Sequence, residues 1–164
     1  MAFATRADLL ARSNARRLAQ LAVPADRAMV PDDALRAAIA GTSLEDFTQV
    51  DQASLSLALD AIDKALDDAN AFILSYGIAA TVQTTLLARI TSTIALYYLQ
   101  GAERMTDDVQ KAYDAVIATL KSHSRGDINL VPALPTASVI DGDVITIGAN
   151  PMRFGASGAA ASDW

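Results

Sequence analysis

The sequence predicts a mainly α protein: a helical bundle of four to five helices, followed by a C-terminal β-hairpin arm and a flexible tail. Three observations carry this prediction. Alanine and leucine dominate a chain in which aromatic residues make up only 5%, a balance that favours helices over a sandwich or barrel. Apolar residues recur at spacings of three and four between Leu55 and Tyr76, the period of one helix face. After residue 130 come prolines, β-branched residues and an Asp141-Gly142 pair, which stop helices and turn hairpins. At 164 residues the chain is long enough to bury one real core. Its expected parts are a bundle over 1–130, an extended segment with hairpin arm over 131–148 and a tail over 149–164.

Thr5-Arg6-Ala7-Asp8 has the pattern of a capping box, with aspartate where glutamate is more usual. The helix it opens is expected to run to about Leu21, with Leu10, Leu18 and Leu21 on one side and Pro24 as its stop. Pro31-Asp32-Asp33 begins a short second helix that Gly41 ends. After the connector "GTSLEDF", a third helix starts at Asp51. Leu55, Leu59, Ile62, Leu66, Ala69, Ile73 and Tyr76 form its apolar stripe, and Gly77 ends it. Ser56, Asp60, Asp63, Lys64, Asp67 and Asp68 fall largely off that stripe.

The fourth helix, about Thr81 to Gln100, is apolar on nearly every side. Leu86, Leu87, Ile90, Ile94, Leu96, Tyr97 and Leu99 cannot share one face, so this helix belongs in the middle of a bundle or is covered by another subunit. Its length would span a bilayer, but Arg89 and several Thr, Ser and Gln residues make it a core helix. Thr106 caps a fifth helix carrying Val109, Tyr113, Val116, Ile117 and Leu120. Lys121, His123 and Arg125 complement the dipole at its end, Gly126 is the left-handed stop, and Ile128 is expected to fold back onto the last turn.

That reading accounts for Arg125-Gly126-Asp127, a tripeptide that integrin ligands expose on extracellular turns. Here it is the end of a helix, and the amino terminus has no apolar stretch of a secretory signal. Beyond it, "SVIDGDVITIG" reads as a hairpin whose second strand holds Val144, Ile145 and Ile147. A lone hairpin is marginal in water and needs a docking surface. Trp164 closes a tail of small residues, either as a frayed end or as an anchor.

Net charge is −6, unevenly spread. Residues 1–40 carry six arginines, Arg6, Arg12 and Arg16 among them, against four aspartates, while residues 41–164 carry seven basic and fifteen acidic side chains. An acidic body argues against gripping nucleic acid, since phosphate contacts need lysine and arginine. There is no cysteine and one histidine, and no phosphate loop, nucleophile elbow, zinc-protease motif or calcium loop. Asp60, Asp63, Asp67 and Asp68 lie close enough on one helix to hold a hard cation. With Lys64 among them and no histidine partner, a solvated acidic face is the simpler account. The sequence points to no catalytic residue, metal or cofactor, and to no enzyme.

The order of elements resembles a known family. A short helix begins "FATRADLLAR", a long one reads "DQASLSLALDAIDKALDDANAFILSYG", and a core helix reads "LLARITSTIALYYLQ". "VQKAYDAVIATLKSHSRGDINL" comes next, then a strand-bearing tail with "NPMRFG". Over about residues 3–155 this resembles the Mu-like prophage family of head–tail connector proteins, also called neck or adaptor proteins, of tailed bacteriophages. The last helix ending at Gly126 and the pair Arg153-Phe154 are its most specific matches, while "SYGIAATVQTT" keeps only Tyr76 of the Arg-Tyr and prolines usual there.

The resemblance implies an architectural virion protein. About a dozen copies would form a ring beneath the portal protein, extending the DNA channel and joining capsid to tail. Its partners would be further copies of itself, the portal, and a downstream neck, tail-completion or tail-terminator protein. Phage DNA would pass without sequence-specific binding, and no membrane is involved. It would reside in the virion neck, and in host cytoplasm during assembly. Arg6, Arg12, Arg16, Val144, Ile145, Ile147, Arg153, Phe154 and Trp164 become interface candidates, and Asp60, Asp63, Asp67 and Asp68 channel-facing acids. Two readings of other classes compete: a cytoplasmic helical adaptor or regulator that binds a partner helix, and a carboxylate-dependent hydrolase or metal protein centred on Asp60 to Asp68.

Overall fold

The capping box forms as the sequence predicts. In the computed structural model, which describes residues 2–101 and 104–131, Thr5 Oγ1 accepts from the Asp8 amide at 3.3 Å and Asp8 Oδ2 accepts from the Thr5 amide at 2.8 Å. The helix it opens is short, α1 at Arg6–Arg12, and a second, α2, spans Ala15–Ala22. The expected single helix to Leu21 is therefore corrected to two. Ser13 is extended at φ −126° and ψ 157°, and the Asn14 carboxamide accepts from the Arg17 amide at 2.7 Å. Serine and asparagine bond readily to nearby backbone and so end and restart helices. The break lets both Leu9 and Leu18 reach full burial.

Helix α3, Asp32–Ala40, follows Pro31 and stops at Gly41, whose φ of +70° is costly for any residue with a Cβ. The connector after it is held by Gln52, whose Nε2 donates to the Leu44 and Phe47 carbonyls at 2.8 and 3.0 Å. Thr48 caps α4, Gln49–Leu74, the longest helix. Its predicted stripe points inward: Leu55, Ile62, Leu66, Ala69 and Ile73 are buried, with Leu59 and Tyr76 half-buried. Each buried leucine or isoleucine among them contributes about 1.5–3 kcal/mol by leaving water.

Helix α5, Thr85–Gln100, starts four residues later than expected, because Thr84 supplies the cap by accepting from the Leu87 amide at 3.1 Å. It packs against α4, α1, α2 and the last helix, α6, at Asp107–Arg125. This is the middle position its composition asks for. Its buried hydroxyls stay within the helix: Thr91 Oγ1 donates to the Leu87 carbonyl and Ser92 Oγ to the Ala88 carbonyl, each at 2.8 Å. Among the described residues no helix is long and apolar enough to cross a membrane.

On α6 only Leu120 is buried, while Val109, Tyr113, Val116 and Ile117 stay half-buried. Gly126, at φ +83°, closes it, with the Asp127 amide donating to the Ser122 carbonyl at 3.0 Å. Ile128 does not fold back as expected. It remains exposed, and Leu130 is buried in its place.

The described residues thus hold six helices rather than four or five, and no strand. The hairpin and tail, with Val144, Ile145, Ile147, Arg153, Phe154 and Trp164, lie outside the described residues.

Candidate functional site

Two of the residues singled out in the sequence meet each other. Arg6, at the start of α1, clamps Asp63 in mid-α4 with both ends of its guanidinium: Nε donates to Oδ1 at 2.7 Å and Nη2 to Oδ2 at 2.5 Å. The hydrogen bond from Arg6 holds the Asp63 carboxyl below the usual carboxylate range, against a smaller opposing effect of burial. Arg6 is raised in turn by the same bond, with Asp60 adding a weaker attraction. Asp63 is therefore a fastening between α1 and α4. Asp60, Asp67 and Asp68 stand exposed around it. Among the described residues no three His, Cys, Asp or Glu side chains gather as a group able to hold a metal.

Arg12, Arg17 and Arg89 line open grooves between helices. Arg12 of α1 and Arg89 of α5 flank a groove of about 420 Å³ that has Leu86 in its wall. The same three residues reach an adjoining groove of about 310 Å³ floored by Ala112, Ala115 and Val116 of α6. Further along, Arg17 joins Arg12 around Leu96 and Gln100. Gln100 is buried, and with its amide turned to the orientation that satisfies both ends it accepts from Arg17 Nη2 at 2.8 Å and donates to the Arg104 carbonyl at 3.2 Å. Arg16 is exposed on α2 and lines none of these grooves. Among the described residues, neither Arg12 nor Arg89 has an acidic partner within ion-pair distance.

Sequence reasoning named Arg12 but missed Arg89 and Leu86 as surface residues. The signal was present: a helix apolar on every side must leave some of that surface uncovered if its neighbours are too few. Sequence reasoning named Tyr97 and Tyr113 as apolar positions of their helices but not as a pair. Tyr97 stacks on Tyr113 with ring centroids 3.8 Å apart, which pins α5 to α6. Burial, then the neighbouring Tyr113, pushes the Tyr98 phenol up to about 12.

His123 sits where its dipole role requires, and its Nδ1 lies 3.3 Å from the Ile128 carbonyl and 3.4 Å from the Leu130 amide. It is a clamp on the departing chain, and Arg125-Gly126-Asp127 is a helix terminus.

A search of curated proteins finds no match. Against protein families, however, residues 3–140, a stretch that contains all six helices, match the family described as bacteriophage Mu, Gp36. Arg153 and Phe154 lie beyond that matched stretch. A match over most of the chain makes this helical unit a Mu-like phage protein, and the chain belongs to the Gp36 family.

Proposed function

We propose that the chain is a structural virion protein, a head–tail connector that rings the DNA channel beneath the portal and joins capsid to tail. The observation that carries this is the family match over the full helical unit. The architecture supports it. The grooves are open surface features between helices, bordered by arginines with no acidic partner among the described residues. Such surfaces suit protein contacts better than enclosure of a small substrate. A net charge of −6 suits a wall past which DNA slides, because like charge repels phosphate instead of gripping it. A ring of identical copies needs two different faces on each copy, so that head-to-tail contacts close. The portal on one side and a tail-proximal neck protein on the other complete the joint.

A phage carrying a nonsense mutation in this gene tests the proposal. DNA-filled heads and finished tails should accumulate unjoined, and the purified chain added to that lysate should restore joined, infectious particles. Normal joined particles in its absence would refute the connector role.

A further inference from the structure

The outer side of α4 carries a second stripe, opposite its core stripe. Leu57, Asp60, Lys64, Asp67 and Leu74 recur at spacings of three, four, three and seven, and all are exposed. Leu57 and Leu74 are large hydrophobics left 38% and 44% in solvent. Both leucines stand in line with the aspartates of this face. The groove between α1, α5 and α6 shows the matching composition. Leu86 is 45% exposed there, between Arg12 and Arg89. The small side chains of Ala112 and Ala115 keep the α6 wall low.

The two surfaces also match in register. On α4, Asp60 follows Leu57 by three residues; on α5, Arg89 follows Leu86 by three. Two helices laid parallel advance by the same 1.5 Å per residue. Seating Leu57 beside Leu86 therefore sets Asp60 beside Arg89, Lys64 beside the uncharged Thr93, and Asp67 beside Leu96, where Arg17 lines the surface. Along α5 itself no residue is set beside one of like charge in this alignment, and Arg12 borders the same groove. Asp8 also borders the groove, but its carboxylate is engaged by the Thr5 amide and hydroxyl at 2.8 and 2.7 Å.

We infer that a second copy of this chain lays the outer stripe of α4 into the α1–α5–α6 groove, parallel to α5, with Leu57 against Leu86 and Asp60 against Arg89. The contact joins unlike faces, so it repeats from copy to copy and closes into a ring if the rotation divides evenly. It deepens the connector proposal and rests on it. It also moves Asp60 and Asp67 from the channel wall, where the family resemblance put them, to the seam between copies.

The chain has no cysteine, so cross-linking tests the pairing directly. The full-length double variant L57C/L86C, treated with a short bismaleimide at high protein concentration, should give a ladder of dimer, trimer and higher species. L57C alone and L86C alone should not. Adding Arg89→Glu should cut the ladder by about tenfold or more, since like charges across an interface oppose association. Adding Asp60→Arg to that variant should restore it, which also shows that the charge-reversed chain folds. The pairing is overturned if the double variant cross-links no better than the single ones, or if Arg89→Glu leaves the ladder unchanged. It is equally overturned if the introduced thiol of dilute L86C resists a monofunctional maleimide, because the chain would then cover its own groove. A chain found at the neck without a ladder removes only this pairing. A ladder from a chain absent from particles removes the connector reading instead.

Discussion

Arg6 and Asp63 show how little a charged residue's sequence position says about its employment. Each stood out by its surroundings, Arg6 in a basic amino end and Asp63 in an acidic helix, and the fold pairs them with each other. Both side chains are partly exposed, so solvent screening keeps the pair's contribution at no more than about 1 kcal/mol. The carboxyl titrates below its normal range in the fold. Its stabilisation is therefore complete above the ordinary carboxylate range and disappears as pH falls through the depressed value. Asp63→Asn should lower Tm by about 2–4 °C at neutral pH, and the gap from the parent should close in acid. Thermal unfolding of both chains across that range checks this; a gap independent of pH would assign the loss to packing. Tyr98 gives the opposite sign. Its raised phenol favours the protonated fold, so its stabilisation holds below the ordinary tyrosine range and is lost as pH climbs towards about 12. In an ultraviolet titration of the four tyrosines, the last to ionise should vanish in Tyr98→Phe and persist in Tyr76→Phe.

Elements differ in how firmly they are held, and burial says which is weakest. Helix α4 sinks a whole stripe into the core, whereas α6 commits one fully buried side chain, Leu120, and a stacked tyrosine. Leu120→Ala should cost about 2–5 kcal/mol. Hydrogen exchange should quicken across 107–125 while amides around Ile62 stay protected. Uniform acceleration would mean instead that α6 unfolds only with the whole bundle. The stripe of α4 and the stop at Gly126 were legible in the sequence because each depends on local physics: a period, and a backbone angle that glycine alone adopts cheaply. The break at Ser13-Asn14 was less so. Leu10, Leu18 and Leu21 keep a helical spacing across it, and only the capping preference of Asn14 argues for a stop. Ile128 and Leu130 were ambiguous for another reason. Either could cover the last turn, and the path set beside His123 decides for Leu130. The grooves were hardly legible at all, since Arg12, Leu86, Arg89 and Ala115 come from three helices and meet only in space.

At the scale of the molecule, the helices bury their apolar stripes and display two charged faces. One is the aspartate-and-leucine side of α4, the other the arginine-bordered groove across α1, α5 and α6. In the proposed pairing these two faces meet between successive copies. Membership of the Gp36 family supplies the phage setting, and the connector proposal supplies the place within the particle. The most direct measurement of that place is immunogold labelling of negatively stained particles with an antibody to the helical unit, after gentle disruption to open the necks. The account predicts gold confined to the head–tail junction, with the chain present at the copy number of the portal. Gold elsewhere on the particle, or particles that lack the chain entirely, would contradict it.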